Sequence, residues 1–243
     1  YIMDASGKGK DAVLTSSICS AAMTYAVESE RESRSPAKML SYMNRFLVST
    51  QKRDNNTTCF LAVIDLKAGT IRYANAGHQF PVTLSNSGFD TLDLPGSPLG
   101  LSEESVFQEK ERDLHPGDRL FLFTDGLIEG KNGKGQVWGK NVLIDSVKAS
   151  TSQGARELKD DILAQAFEFF GPKPLADDVT VVVVEISAQW SAAAKTSPTD
   201  APTEKTTEKV GGDALPSFAS SLDEPVTFSS AAPALTMPPD TAK

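Results

Sequence analysis

Cysteine and histidine are scarce in this chain, with two of each among 243 residues. Cys19 and Cys59 are too few for a disulfide framework and fit a reducing compartment. Together with His78 and His115 they lack the number and spacing of ligands that a zinc site needs. Basic residues are in deficit, 24 Lys+Arg against 32 Asp+Glu, for a net charge of -8. That balance argues against nucleic acid as a main partner, because a phosphate backbone is bound through a surplus of Lys and Arg. No apolar run reaches the roughly 18 residues that a membrane-spanning helix requires. The chain opens Tyr1-Ile2-Met3-Asp4 without an initiator Met and directly in a strand-like segment, so a fragment is expected.

Apolar and aromatic residues thin out sharply near residue 188. From Gln189 to Lys243, 32 of 55 residues are Ala, Pro, Ser or Thr, seven of the 55 are Pro, and the only aromatics are Trp190, Phe218 and Phe228. Such a stretch buries too little apolar surface to offset backbone ordering, which costs about 1–2 kcal/mol per residue. The expected organisation is a folded domain over residues 1–187 and a disordered tail over 188–243.

Within the domain, helical and strand periodicities alternate in groups. Leu14, Ile18, Ala21, Ala22 and Tyr25 form one helical stripe after Gly9. Ser35 as cap and Pro36 at the first helical position announce a second helix through Met39, Leu40, Met43, Phe46 and Leu47. Thr57–Leu66 and Thr70–Ala76, joined by Lys67-Ala68-Gly69, read as a hairpin. Phe80–Leu84 and Val106–Glu109 are weaker strand candidates, and Arg119–Thr124 is a strong one. Helices are expected at about 139–149 and 155–170. Val179–Ile186 is expected as a fully buried closing strand. Grouped helices and grouped strands indicate an α+β fold with mostly antiparallel sheets.

Three acidic positions share a setting at the edge of a strong apolar strand: Asp4, Asp125 and the pair Asp177/Asp178. Gathered carboxylates repel unless a cation lies between them, and hard divalent cations prefer oxygen ligands. Asp4, Asp125 and one of the pair could therefore hold Mg²⁺ or Mn²⁺; strand alternation would point Asp177 and Asp178 to opposite faces. Against this, Asp before Gly at a strand end is common turn chemistry. The segment Gly7-Lys8-Gly9-Lys10 before a helix could cradle a phosphate or could be a plain glycine-rich turn; it lacks the spacing of a nucleotide P-loop. His115 reads as a loop residue and His78 as a structural hydrogen-bonding residue.

Taken in order, DASGKG (Asp4–Gly9), NAGH (Asn75–His78), GSPLGL (Gly96–Leu101), PGDRLFLFTDGLIEG (Pro116–Gly130) and ADDVTVVVV (Ala176–Val184) resemble the PPM-type metal-dependent protein serine/threonine phosphatases, bacterial SpoIIE-like branch. The resemblance covers residues 1 to about 187. It implies a four-layer αββα sandwich of two mostly antiparallel sheets, with the first strand missing. That absent segment carries a further metal-binding Asp in the family. It implies metal ligation by Asp4, Asp125 and Asp177 and by the backbone of Ala5, with phosphate-side assistance from Gly7, Lys8 and Gly9. Two Mn²⁺ or Mg²⁺ ions are implied as cofactors, activating water to hydrolyse phosphoserine or phosphothreonine. The implied substrate is a phosphorylated regulator such as an anti-sigma-factor antagonist of the STAS type. An upstream sensor domain, a homodimer and a cytoplasmic location also follow from the resemblance. The competing reading is a non-catalytic protein-binding module on a degenerate phosphatase fold. A metal-dependent phosphodiesterase or nuclease is disfavoured by the acidic balance.

Overall fold

A computed structural model describes residues 1–6, 10–50, 56–85, 88–152, 154–172 and 174–190. The expected tail from residue 191 onward lies outside these described residues, as do Gly7, Lys8 and Gly9. The elements in chain order are β1 (Ile2–Ala5), α1 (Lys10–Ser29), α2 (Pro36–Thr50), β2 (Thr57–Asp65), β3 (Thr70–Ala76), β4 (Val82–Ser85) and β5 (Gly88–Thr91). They continue with β6 (Lys110–Asp113), β7 (Arg119–Phe123), α3 (Asp125–Glu129), α4 (Lys140–Ala149), α5 (Ala155–Phe170) and β8 (Val181–Glu185).

The strands form two four-stranded sheets, ordered β1-β2-β3-β6 and β5-β4-β7-β8, and every pairing is antiparallel. Period-2 alternation decides what each face meets. In β2, Phe60, Ala62 and Ile64 point to the space between the sheets, where they join Leu120, Leu122 and Val184 of the second sheet. Cys59 and Leu61 point the other way and pack under α1 and α2 with Met23, Leu40, Met43 and Leu47. In β7 the same alternation sends Phe121 and Phe123 outward onto α4 and α5, against Leu143, Val147, Leu158 and Ile162. Three apolar layers between four layers of secondary structure make the αββα sandwich expected from the sequence.

Local chemistry explains the joints. Ser35 accepts the Lys38 amide, and Glu109 reaches back to bond both the Ser35 hydroxyl and the Ala37 amide, so α2 starts at Pro36. The hairpin from β2 to β3 turns on Asp65, whose Oδ1 accepts the amides of Lys67 and Ala68 at 2.9 Å each. Those two bonds hold the Asp65 carboxyl below its ordinary pKa.

Several expectations are corrected. The buried face of α1 is Thr15, Cys19, Ala22, Met23 and Ala26, while Leu14 and Tyr25 are about 60% exposed. Small side chains let the helix lie close to the sheet, and Tyr25 instead meets Tyr42 of α2 edge to face on the outside. Val106–Glu109 is not a strand; the strand starts at Lys110, where backbone pairing with β3 becomes available. β8 is only partly buried, with Val182 facing outward, so it is not the fully buried strand that a run of Val suggests. β5, with Gly88 and Asp90 in it, carries no strand signal and exists because β4 supplies its partner. Both cysteines are free and buried.

The two outer cores fix the sandwich, so truncating Phe121 to Ala is expected to cost about 3–5 kcal/mol. Urea unfolding should show a clear fall in midpoint, whereas Val106→Ala at an exposed position should stay within about 0.5 kcal/mol of wild type.

Candidate active site

One end of the sandwich carries a cleft of about 840 Å³ whose lining includes Asp4, Ala5, Asp125, Asp177 and Asp178, with Asn56 and Thr58 beside them and Phe167 and Leu175 at its apolar side. The first sheet delivers Asp4 and Ala5 at the end of β1, paired in register with Thr58 and Thr57 of β2. The second sheet delivers Asp125, which is not a strand end as read from the sequence but the first residue of the short helix α3.

The segment bearing Asp177 and Asp178 is held against α3 by Thr124. Its backbone amide donates to the Thr180 carbonyl at 3.0 Å, and its hydroxyl accepts the Thr180 amide at 3.0 Å while donating to the Asp178 carbonyl at 3.3 Å. Gly126 completes the joint, because a Cβ there would collide with the Asp178 carbonyl oxygen. The chain bends at Asp177 before β8 begins, so strand alternation does not separate the two aspartates and both line the cleft.

Electrostatics make this cluster costly to hold together. The Asp4 carboxyl is pushed up to about 6, first by burial, then by the Asp125 charge and a hydrogen bond with Asp125, then by the charges of Asp177 and Asp178. Asp125 Oδ1 is buried without a partner. A divalent cation placed among these carboxylates would offset their repulsion. The donor set is all oxygen, which suits Mg²⁺ or Mn²⁺ rather than a thiolate-preferring metal. The cluster is open: among the described residues no three Asp, Glu, His or Cys side chains close on one point as a ready-made cage. Asp125 Oδ1, buried and without a partner, is an oxygen that a bound cation could satisfy. The residues therefore fit the metal that the family pattern implies.

Covalent catalysis has little support here. Cys59 lies fully buried under α1 and α2, and burial pushes its thiol up to about 12. Ser6 lines the cleft, but its hydroxyl donates to the Asn56 carbonyl at 2.7 Å. His115 sits on a loop with its ring largely exposed. His78 is buried, its Nδ1 2.8 Å from Oγ1 of the cleft-lining Thr58. Burial lowers its pKa, opposed by the Phe123 carbonyl and the Asp125 charge.

The structure thus brings Asp4, Ala5, Asp125, Asp177 and Asp178 to one cleft. Sequence reasoning missed Thr58, Asn56, Thr124 and Gly126, whose roles depend on partners far along the chain. A Thr-Asp-Gly triplet after an apolar strand was the available signal for two of them.

Comparison with known proteins gives a consistent picture. The family model for Stage II sporulation protein E (SpoIIE) matches residues 1–187. The phosphoserine phosphatase RsbU of Bacillus subtilis is 28% identical over 188 residues, covering 75% of this chain and 54% of that protein. The phosphoserine phosphatase RsbP of the same organism is 26% identical over 157 residues, covering 63% of this chain and 37% of that protein. The chain thus spans about half or less of these relatives. Among solved structures, the SiaA-PP2C domain of Pseudomonas aeruginosa superposes with a TM-score of 0.68 at 23% identity, over 75% of this chain and 73% of that one. The PP2C phosphatase domain of SpoIIE from Bacillus subtilis, solved with a regulatory fragment, gives 0.62 at 20% identity, over 76% and 53%. At these identities the structural likeness concerns the fold.

Two outcomes follow from the site geometry. Because the folded-state pKa of Asp4 lies above its unfolded value, the group favours folding least at high pH: the penalty is absent below about pH 4, grows through the window to pH 6 and is complete above it. Metal-free Asp4→Asn protein should therefore unfold at a higher temperature than wild type at pH 7.5, by an amount of order 1 kcal/mol once solvent screening of a half-exposed group is allowed for, and at the same temperature at pH 4. Identical melting at both pH values would contradict the repulsion. Gly126→Ala should displace the Asp177–Asp178 segment, costing about 1–3 kcal/mol in urea unfolding and weakening the stabilisation that added Mn²⁺ confers.

Proposed function

Because the chain belongs, over residues 1–187, to the SpoIIE family of PPM-type metal-dependent phosphatases, we propose that it hydrolyses phosphoserine or phosphothreonine on a regulatory protein. The observation that carries this reading is the convergence of four carboxylates from both sheets on one cleft, at the cost of an Asp4 carboxyl raised to about 6. Asp4, Asp125 and Asp177 are the side chains that would hold the metal, with the Ala5 carbonyl contributing from the backbone. Two Mn²⁺ or Mg²⁺ ions bound there would supply Lewis-acid polarisation of the phosphoryl group and a water of lowered pKa. The rest is the work of the chain itself. β1 and α3 hold Asp4 and Asp125 on rigid elements, and the Thr124 staple keeps Asp177 and Asp178 opposite them. Gly7, Lys8 and Gly9 would assist on the phosphate side from the segment that follows Asp4.

The cleft offers the mostly apolar Phe167, Leu175 and Ala176 at one side, a surface suited to a protein substrate rather than a free phosphate ester alone. The substrate class that the family resemblance implies is a phosphorylated anti-sigma-factor antagonist of the STAS type. The reading takes residues 1–187 as the catalytic domain and 188–243 as a tail, acting in the bacterial cytoplasm under an upstream sensor. Among the described residues no helix is long and apolar enough to cross a membrane. A second reading, a protein-binding module without catalysis, is favoured by the open arrangement of the carboxylates.

Mn²⁺-dependent hydrolysis of a phosphoserine peptide and of p-nitrophenyl phosphate separates the two. Activity that depends on added metal and disappears in Asp125→Ala and Asp177→Ala is expected. Activity indifferent to those substitutions would remove the metal assignment, and a folded protein that binds metal without turnover would favour the binding module.

A further inference from the structure

We propose that Phe167 and Leu175 set the substrate specificity of the cleft, by taking an apolar side chain that lies within two positions of the phosphorylated residue in an extended segment of the substrate protein. The inference rests on the phosphatase reading above and adds to it the kind of sequence that is dephosphorylated.

This apolar wall is exposed and yet held in place. Phe167, in the last turn of α5, is 45% exposed, and Leu175, between α5 and β8, is 42% exposed. Both line the same cleft as Asp177 and Asp178. Phe167 stands edge to face on Phe170 with ring centroids 6.0 Å apart, and the buried Phe170 stands edge to face on Trp138 at 6.2 Å. Gly130 makes room for this stack, because a Cβ there would meet the Phe170 ring. The end of α5 is closed by Gly171, at φ 72°, whose amide donates to the Phe167 carbonyl at 3.0 Å. An aromatic ring held in this way offers contact area that costs little further ordering when a ligand covers it.

What covers the wall follows from what the carboxylates hold. Leu175 precedes Asp177 by two residues, so their Cα atoms are at most about 7 Å apart. A phosphoryl group held beside Asp177 is joined to a chain, and two residues of extended chain reach about 6.5 Å. The neighbours of the phosphorylated residue therefore come within reach of Leu175 and Phe167. The cleft, about 840 Å³, has the size of a site for a ligand of many atoms rather than for a bare phosphate. It also continues beyond the wall: Leu175 and Ala176 are shared with a second hollow of about 380 Å³, lined further by Phe170, Pro174 and the glycine-rich turn at 130–135. That continuity gives an extended peptide a path out of the cleft on this side. Lys131 is the only charged side chain among the described residues of that lining, so the path offers apolar contact more than ion pairing.

The test uses the full chain with Mn²⁺ and two phosphoserine peptides that differ only at the two positions on each side of the phosphoserine, leucine in one and glutamine in the other. Wild type should show kcat/KM about 10-fold higher for the leucine peptide. In Phe167→Ser and Leu175→Ser the ratio of the two values should fall towards one, whereas a merely structural loss lowers both values and leaves their ratio. Equal values in wild type, or a preference that survives both substitutions, would overturn the proposal. So would sedimentation showing a wild-type dimer that Phe167→Ser dissolves, because the wall would then belong to a second copy of the chain. If wild type turns over neither peptide, the phosphatase reading fails, and calorimetry with the corresponding phosphonate peptides decides the wall by the same ratio, no preference or no binding overturning it. If Phe167→Ser does not fold, Leu175→Ser, outside the helices, decides alone.

Discussion

Four carboxylates held at one end of two sheets repel one another, and the architecture around them can be understood as the means of keeping them together. In water such groups would separate, and a flexible loop could not prevent it. Here Asp4 is pinned by the β1–β2 ladder and Asp125 by the helix that β7 feeds. The cost appears in the Asp4 carboxyl, which burial and its neighbours push up to about 6. Sites arranged in this way are poised for cations, because a dication converts the repulsion of several anions into attraction.

Rigidity at the cleft has to come from packing elsewhere. The core between the sheets locks their relative position through Phe60, Ile71, Leu120 and Leu122, and the two outer cores seat the helices. The loop at residues 96–101 belongs to the same support. Asn44 on α2 accepts the Gly100 amide and donates to the Ser102 carbonyl, and Leu99 exchanges backbone bonds with Thr57. Gly96 lies so close to the Asn75 carbonyl that any side chain would clash. That loop thereby braces the turn that carries His78, which gives the GSPLGL segment a structural task at a distance from the chemistry.

Much of this was legible in the amino-acid order. The alternation in Thr57–Leu66 and Arg119–Thr124 marked two central strands, and Ser35-Pro36 marked a helix start, because these signals depend on local sterics and hydrogen bonding. The acidic residues at strand ends stood out for the same reason. What escaped was whatever depends on distant partners. The inward face of α1 was misplaced in part because it centres, around the expected Ala22, on Cys19, Met23 and Ala26 rather than on Leu14 and Tyr25. β5 has no intrinsic strand preference and is formed by its neighbour. Thr124 and Gly126 look like ordinary turn residues until a segment more than fifty positions later packs against them. The Gly7-Lys8-Gly9 segment remains an expectation, since it lies outside the described residues.

Anomalous diffraction from Mn²⁺-soaked crystals tests the central claim most directly, since it locates the ion without relying on turnover. The account predicts manganese density bounded by Asp4, Asp125 and Asp177, as two peaks about 3.5–4 Å apart. A cleft without manganese at millimolar concentrations, in crystals whose carboxylates are otherwise ordered, would contradict it.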